Sequence, residues 1–267
     1  MSFMIEHQSG KFGGDEFSSS GAWSPPTSRA NFCEEDYTIS FYVAEFVNSL
    51  TNLAYVFFAL RYMYGPGSRG ILRPNLDFMS ISLLGLGIGS FLFHASLRHT
   101  LEYVDELSML VLTWSMLHAT LVAAQPPSKT RAITVGLTAF YMSFLVYYVW
   151  SENIIYQVVG FTGSIVIIGL RTNYLVRWLK AFPKALAQDL TSRSRRSVLV
   201  GLFGYLLWNI ELKYCDELRA IRAQVGLPWA WLFEFHGWWH IFTAISAKQF
   251  MSVAREMREL TPREKDE

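Results

Sequence analysis

The chain has 267 residues and a formal net charge of +1, and 51% of its residues are hydrophobic. A charge this close to zero gives no indication of a nucleic-acid partner. Composition alone is compatible with a soluble domain, so the distribution of apolar residues along the chain decides the class of protein.

Apolar stretches of about 20 residues recur along the chain, and the charged residues gather in short clusters between them. That length matches a helix that crosses a bilayer core of about 30 Å. The stretches do not alternate with a period of two, which argues against a barrel. We therefore predict an all-α polytopic membrane protein, a bundle of seven transmembrane helices at residues 39–62, 76–97, 103–124, 133–150, 154–170, 198–212 and 229–250.

The predicted helical domain covers residues 39–252, between a polar segment and a charged tail. Residues 1–38 are rich in Gly and Ser and lack the apolar core of a cleavable signal peptide, so we expect the first span to act as the targeting signal. Residues 253–267 are strongly charged and are expected to extend into the solvent.

The basic residues predict the orientation in the membrane. Of 23 Lys and Arg residues, six lie on the side of the N-terminus and 17 on the other side. Because cytosolic loops are enriched in Lys and Arg, the N-terminus is expected outside or in a lumen and the C-terminus in the cytosol. Cys33 and Cys215 then share the non-cytosolic side, where an oxidising compartment permits them to pair. Topology alone leaves open whether they pair or are small core residues.

Four ionisable residues within the spans lie near the same end of the bundle. His94 is late in the second span, Asp105 is early in the third, and His236 and His240 are early in the seventh. Odd spans run inward and even spans run outward, so these residues share one membrane depth. Ionisable groups are costly in lipid and usually face a cavity or a partner. We therefore expect the four side chains to meet.

Three imidazoles at one depth match an open Zn²⁺ site, and two histidines four residues apart offer ligands from one helix face. Zinc can polarise a carbonyl and acidify water. Asp105 is then predicted to be the general base, and Ser90, one turn before His94, to bind the oxyanion or orient the water. The pattern predicts an intramembrane metal site that hydrolyses an amide or ester of a membrane substrate.

The alternative for any histidine in a membrane helix is a hydrogen-bonded packing role. We assign His118 and His7 to that class, and His99 to a loop or an interface. Trp238 and Trp239, between the two ligands of the seventh span, are interpreted as packing residues.

A second polar cluster, at residues 31–36, precedes the first span and is followed by Glu45 within it. One interpretation is a solvated acidic loop. The other is a Ca²⁺ site, because carboxylates, an Asn amide and backbone carbonyls are ligands of that ion. The spacing does not match an EF-hand. A carboxylate about two turns into a membrane helix needs a partner, which favours the cation.

Several motifs resemble those of the alkaline ceramidase family, integral membrane amidases of the endoplasmic reticulum and Golgi. They span about residues 22 to 250 and read WSPPTS at 23–28, CEEDY at 33–37, AEFVNSLTNL at 44–53, GSFLFHASL at 89–97, DEL at 105–107, WNIELKYCDELR at 208–219 and FHGWWH at 235–240. The resemblance implies zinc at His94, His236 and His240, beside the catalytic residues Ser90 and Asp105. It also implies a disulfide between the two cysteines.

The resemblance further implies Ca²⁺ bound by Glu34, Asp36, Glu45, Asn31 and the carbonyl of Phe32. The family pattern reads Asp-Trp-Cys-Glu-x-Asn, whereas the Asn and the Asp are exchanged in this chain. Three carboxylates remain among the implied ligands.

The function that the resemblance implies is hydrolysis of ceramide, phytoceramide or dihydroceramide to a sphingoid base and a free fatty acid. The expected partner is thus a membrane lipid, with Zn²⁺ catalytic and Ca²⁺ structural. The rival hypothesis is a receptor-like or lipid-binding seven-helix protein with a structural zinc, and Asp105 as an acid/base group argues against it. A transporter is disfavoured because no inverted repeat is visible. The sequence specifies neither acyl-chain preference nor oligomeric state.

Overall fold

The computed structural model describes residues 15–179 and 181–260. Its helices are α1 (Phe46–Thr51), α2 (Leu53–Met63), α3 (Phe78–Ser96), α4 (His99–Val122), α5 (Pro127–Ser151), α6 (Ile154–Asn173), α7 (Lys184–Lys213), α8 (Cys215–Val225) and α9 (Phe235–Leu260). A π-helical turn, Tyr174–Trp178, follows α6, and a 3-10 turn, Trp229–Phe233, precedes α9. Within the described ranges, extended pairing is limited to one isolated bridge between Ser40 and Val43. The all-α prediction is confirmed there, while His7 and the outer parts of both terminal segments, residues 1–14 and 261–267, lie outside the described residues.

Three helices in the described part of the chain are long and apolar enough to cross a membrane. They are α3, α5 and the continuous helix Ile154–Trp178, and a fourth span results if α7 and α8, bent by 91°, count as one. Helices α5 and α6 expose large apolar side chains on their outer faces, among them Phe140, Val146, Val166 and Leu170. Apolar outer faces of this extent are typical of helices in lipid. The structure thus supports a membrane protein.

The first predicted span begins too early. Residues 39–45 are not helical, and the helix starts at Phe46. The backbone N–H of Ala44 donates to the carbonyl of Ala95 at 2.9 Å, and that of Glu45 donates to the carbonyl of His94 at 3.0 Å. Because these groups bond to the last turn of α3, the backbone of Ala44 and Glu45 is held beside that turn and outside the helix.

The sixth and seventh predicted spans also have different bounds in the structure. Helix α7 begins at Lys184 rather than near residue 198. The apolar pattern missed its first half because that half is basic. Arg193 in that half pairs with Glu256 of α9, which ties the two helices together. In the seventh span, the α-helix starts only at Phe235, after the 3-10 turn.

Helices α7 and α9 lie in close contact along their lengths. A Cβ added to Gly204 would lie only 2.9 Å from Cβ of Phe242, so this glycine permits the approach of the two backbones. Further along, Ser197 and Ser246 each donate a hydroxyl hydrogen bond to the other's carbonyl, at 2.9 and 2.8 Å. Small residues of this kind are typical of contacts between membrane helices.

Helix α3 is fixed at both ends. At its start, the Asp77 carboxylate accepts from the N–H of Ser80 in a capping box and pairs with Arg255 of α9 at 2.6 Å. At its end, Leu97 takes a left-handed conformation with φ of +50°, which stops the helix. His94 therefore lies in the last turn of a helix whose position is set from both sides.

Candidate metal centre and active site

The structure brings the three predicted zinc ligands together. His94 comes from the last turn of α3, and His236 and His240 come from the first two turns of α9. Their candidate ligand atoms lie within 4.8 Å of one another, and each residue is at most 4% exposed. The ring centroids are separated by 4.5 to 5.1 Å. A buried trio of imidazoles at this spacing could hold a metal ion.

Two ring nitrogens of this trio test whether the site fits a metal. Nε2 of His94 and Nδ1 of His236 are buried and have no hydrogen-bond partner among the described residues. Buried polar atoms in proteins are nearly always paired, so each of these unpartnered nitrogens needs a reason. A metal ion bound by the three imidazoles would supply it at His94, and the residues present fit such an ion.

Two of the three histidines have an oxygen at their outer nitrogen. Nδ1 of His94 lies 2.5 Å from Oε2 of Glu45, which is fully buried. Nδ1 of His240 lies 3.0 Å from Oγ1 of Thr51. An oxygen partner at Nδ1 fixes the ring and leaves Nε2 for the metal. The contact between Glu45 and His94 was not predicted from the sequence, where Glu45 was assigned only to calcium.

Aromatic rings enclose the centre. The ring of Phe32 stacks on His236 at a centroid distance of 4.0 Å and lies 4.9 Å from the ring of His94. Trp208 packs edge-on against His236 at 5.5 Å. Phe32 was expected to contribute its carbonyl to calcium, and its side chain in addition forms a wall of the histidine cluster.

Ser90 and Asp105 also lie close together. Ser90 is buried on α3, one turn before His94, and its hydroxyl is in contact with the carboxylate of Asp105 on α4. Because residues four apart share a helix face, this contact places Asp105 on the side of α3 that carries His94. Asp105 itself is only partly covered.

The other two described histidines lie elsewhere. Nε2 of His118 lies 2.9 Å from the hydroxyl of Thr134. Nδ1 of His99 lies 3.1 Å from Glu102 at the start of α4. These contacts agree with the packing and interfacial roles predicted for them.

The predicted calcium residues are gathered in the structure, but their side chains differ in how well they are already bonded. Both carboxylate oxygens of Asp36 are buried without a hydrogen-bond partner among the described residues. Burial, together with the nearby charge of Glu45, raises the pKa of Asp36 to about 8. A buried carboxylate without a partner is costly, and a bound cation would relieve that cost.

The remaining carboxylate oxygens of this cluster are already hydrogen-bond acceptors. The two oxygens of Glu34 accept from the backbone N–H groups of Val47 and Asn48, at 2.6 and 2.8 Å, and thereby cap α1. Asp15, which the sequence did not single out, accepts from the N–H of Asp36 and pairs with Arg219. The structure thus adds a helix-capping role to Glu34 and a further carboxylate to the cluster.

A disulfide joins Cys33 to Cys215, the pair that the family resemblance implies. It connects the N-terminal segment to the first residue of α8. The guanidinium of Arg222 donates to the carbonyl of Cys33 at 2.7 Å and pairs with Glu234 at 3.0 Å. The N-terminal segment is therefore anchored next to the start of α9.

The fold and the site together define a helical membrane protein with a buried tri-histidine centre beside a Ser–Asp pair. A family model described as Ceramidase matches residues 24–267 of the chain. The chain belongs to the ceramidase family, so the family and the hydrolase class predicted from the sequence are confirmed.

Relatives from distant organisms are similar over most of their length. Alkaline ceramidase 3 of Mus musculus is 28% identical over 230 residues, which cover 85% of this chain and 82% of the relative. Alkaline ceramidase YPC1 of Saccharomyces cerevisiae is 27% identical over 261 residues, covering 92% and 81%. The alkaline ceramidase of Arabidopsis thaliana is 24% identical over 235 residues, covering 85% and 83%.

Proposed function

We propose that this protein is a zinc-dependent intramembrane amidase that hydrolyses ceramide, or its phytoceramide or dihydroceramide form, to a sphingoid base and a free fatty acid. The observation that carries the proposal is the convergence of three buried imidazoles, with the unpartnered Nε2 of His94 among their nitrogens, next to the Ser90–Asp105 pair. Membership of the ceramidase family supports the choice of substrate.

His94, His236 and His240 would hold the Zn²⁺. When bound there, zinc supplies Lewis-acid polarisation of the amide carbonyl and acidifies water. The Asp105 carboxylate accepts a proton from the attacking water and returns it to the nitrogen as the C–N bond breaks. The single O–H of Ser90 orients that carboxylate until the carboxylate takes the proton of the water, and it then donates to the carbonyl oxygen on which negative charge has developed. Phe32 and Trp208 keep bulk water away from the imidazoles.

In the membrane, we propose seven crossings, formed by α1 with α2, then α3, α4, α5, α6, α7 and α9. Helices α4 and α9 are 24 and 26 residues long, which suffices for a bilayer. The charged side chains of α4 lie near its start, and those of α9 lie in its second half. The catalytic domain would be residues 39–252, between the polar segment 1–38 on the lumenal side and the cytosolic tail 253–267, in the endoplasmic reticulum or Golgi.

We also propose a structural Ca²⁺ in the acidic cluster. The unpartnered oxygens of Asp36 support it. The family resemblance adds Glu45, Glu34, Asn31 and the carbonyl of Phe32. Because Glu45 also contacts His94, a cation here would fix the N-terminal segment against the zinc ligands without taking part in the reaction.

The experiment that tests the proposed function replaces Asp105 by Asn in the purified full-length protein. Fatty-acid release from ceramide is expected to fall by about 10²–10⁴-fold, whereas the bound zinc, measured by elemental analysis, is retained. Glu106→Gln is the matched control and should remain active, because the neighbouring Glu106 carboxylate accepts from Tyr148 and not from Ser90.

Full activity of Asp105→Asn would refute the proton-transfer role. A wild-type protein that binds zinc but releases no fatty acid from any ceramide would favour the receptor-like alternative with a structural zinc.

A further inference from the structure

The three imidazoles of the metal centre do not all have a hydrogen-bond partner at Nδ1. His94 and His240 each have an oxygen at Nδ1, from Glu45 at 2.5 Å and from Thr51 at 3.0 Å. Nδ1 of His236 is buried without a hydrogen-bond partner among the described residues. Since a metal-ligating histidine almost always donates its second ring N–H to an oxygen, His236 lacks a partner that the other two possess.

The carboxylate that already bonds to the backbone of His236 is that of Glu211, near the end of α7. It is 1% exposed, and its Oε2 accepts a hydrogen bond from the backbone N–H of His236 at 2.6 Å. Its other oxygen, Oε1, is buried and has no partner among the described residues. One residue therefore has an unpaired ring nitrogen, and the carboxylate already bonded to that residue has an unpaired oxygen.

We propose that Glu211 is a positioning residue of the metal centre, with Oε1 accepting the Nδ1 proton of His236 while Oε2 keeps its bond to the backbone N–H. This inference rests on the proposed zinc site. It gives each imidazole an outer oxygen partner: Glu45 for His94, Glu211 for His236 and Thr51 for His240. All three rings then present Nε2 to the ion.

The competing role for Glu211 is purely structural. The first N–H groups of a helix have no partner within the helix, and Glu211 would serve only to cap α9. A cap alone affects the stability of the fold and leaves the affinity for zinc unchanged. Zinc affinity therefore separates the two roles, and enzymatic activity is not needed as a readout.

The test compares full-length wild-type protein with Glu211→Ala and Glu211→Gln, each stripped of metal and titrated with Zn²⁺ against a competing chelator. Glu211→Ala is expected to weaken zinc binding by about 10- to 100-fold, the usual effect of losing an outer partner of a ligand. Glu211→Gln should show a smaller loss, because its amide keeps one oxygen that can accept a hydrogen bond, although that oxygen carries no charge. The absorption of the Co²⁺-substituted protein should shift in both variants.

Asn153→Ala is the matched control, since it removes the side-chain cap of α6, where Asn153 accepts from the N–H of Ile155, without touching the centre. It should bind zinc as tightly as wild type. Wild-type zinc affinity in both Glu211 variants would overturn the inference. If Glu211→Ala fails to fold, the isosteric Gln variant decides alone. A wild-type chain that binds no zinc would instead refute the proposed function itself.

Discussion

At the scale of single residues, the candidate metal centre depends on side chains far away in the sequence. Glu45 and Thr51, at the two ends of α1, contact ring nitrogens of His94 and His240. Phe32 stacks on the third imidazole. Phe32 and the residues at the two ends of α1 are thus part of the centre, so a change at any of them is expected to act on the imidazoles directly.

Asp36 yields a prediction of pH dependence. Its folded-state pKa is raised to about 8, against about 4 in an unfolded chain. Because the native state favours the protonated form, the stabilising contribution is complete below about pH 4 and is lost as the pH rises through about 8. We expect the thermal midpoint of the calcium-free protein to fall over this range, measured by unfolding in the presence of a chelator.

Asp36→Asn serves as the control, because it removes the titrating group and should flatten the pH dependence. Adding Ca²⁺ to the wild-type protein should raise the midpoint most at high pH, since the ion binds the charged carboxylate. A midpoint that does not respond to Ca²⁺ at any pH would contradict a cation site at Asp36.

The sequence predicted which residues form the centre better than it predicted the contacts that hold them in place. Membrane depth sufficed to group His94, His236 and His240, because depth follows from the order of apolar stretches. The bond between Glu45 and His94 could not be predicted in this way. It depends on Ala44 and Glu45 being held against the last turn of α3 by long-range backbone hydrogen bonds, which no local pattern records.

At the scale of helices, apolar length predicted that a helix exists but not where it ends. Helix α7 begins well before its apolar part, since its basic residues find partners such as Glu256 on α9. Helix α9 begins at Phe235, where Glu211 supplies an acceptor from another helix. Both boundaries are set by tertiary contacts rather than by hydrophobicity.

The contact between α7 and α9 gives a prediction at this scale. Gly204→Ala places a methyl group 2.9 Å from Cβ of Phe242, and overpacking of this kind typically costs about 1–3 kcal/mol. We expect a lower thermal midpoint, measured on the purified protein.

Gly169→Ala is the matched control in α6, where a Cβ would meet no atom within 4 Å. Alanine is the better helix former by about 1 kcal/mol, so this variant should be as stable as wild type or more stable. Equal effects of the two substitutions would show that Gly204 does not set the distance between α7 and α9.

At the scale of the whole molecule, the distribution of basic residues predicts one orientation. Only six of the 23 Lys and Arg residues lie on the N-terminal side, which predicts a lumenal position for that side. An N-glycosylation tag fused before residue 1 should therefore be glycosylated, and the same tag after residue 267 should not. The reverse pattern would contradict the seven-span topology with a lumenal metal centre.

The class of the whole molecule was predictable because the motifs occur in family order over most of the chain, and the family match confirms it. The number of crossings was harder to predict. Helix α4 carries Glu102, Asp105 and Glu106 near its start, so it is less apolar than a simple span. Acidic residues within a helix thus weaken the apolar signal by which a membrane crossing is predicted.

The most direct test of the account is zinc reconstitution of the full-length protein. Metal is removed with a chelator, Ca²⁺ is restored to a constant level, and fatty-acid release from ceramide is measured as Zn²⁺ is added. We predict almost no hydrolysis in the zinc-free protein and recovery that saturates at one zinc ion per chain. Undiminished ceramide hydrolysis by protein shown to contain no zinc would contradict the account.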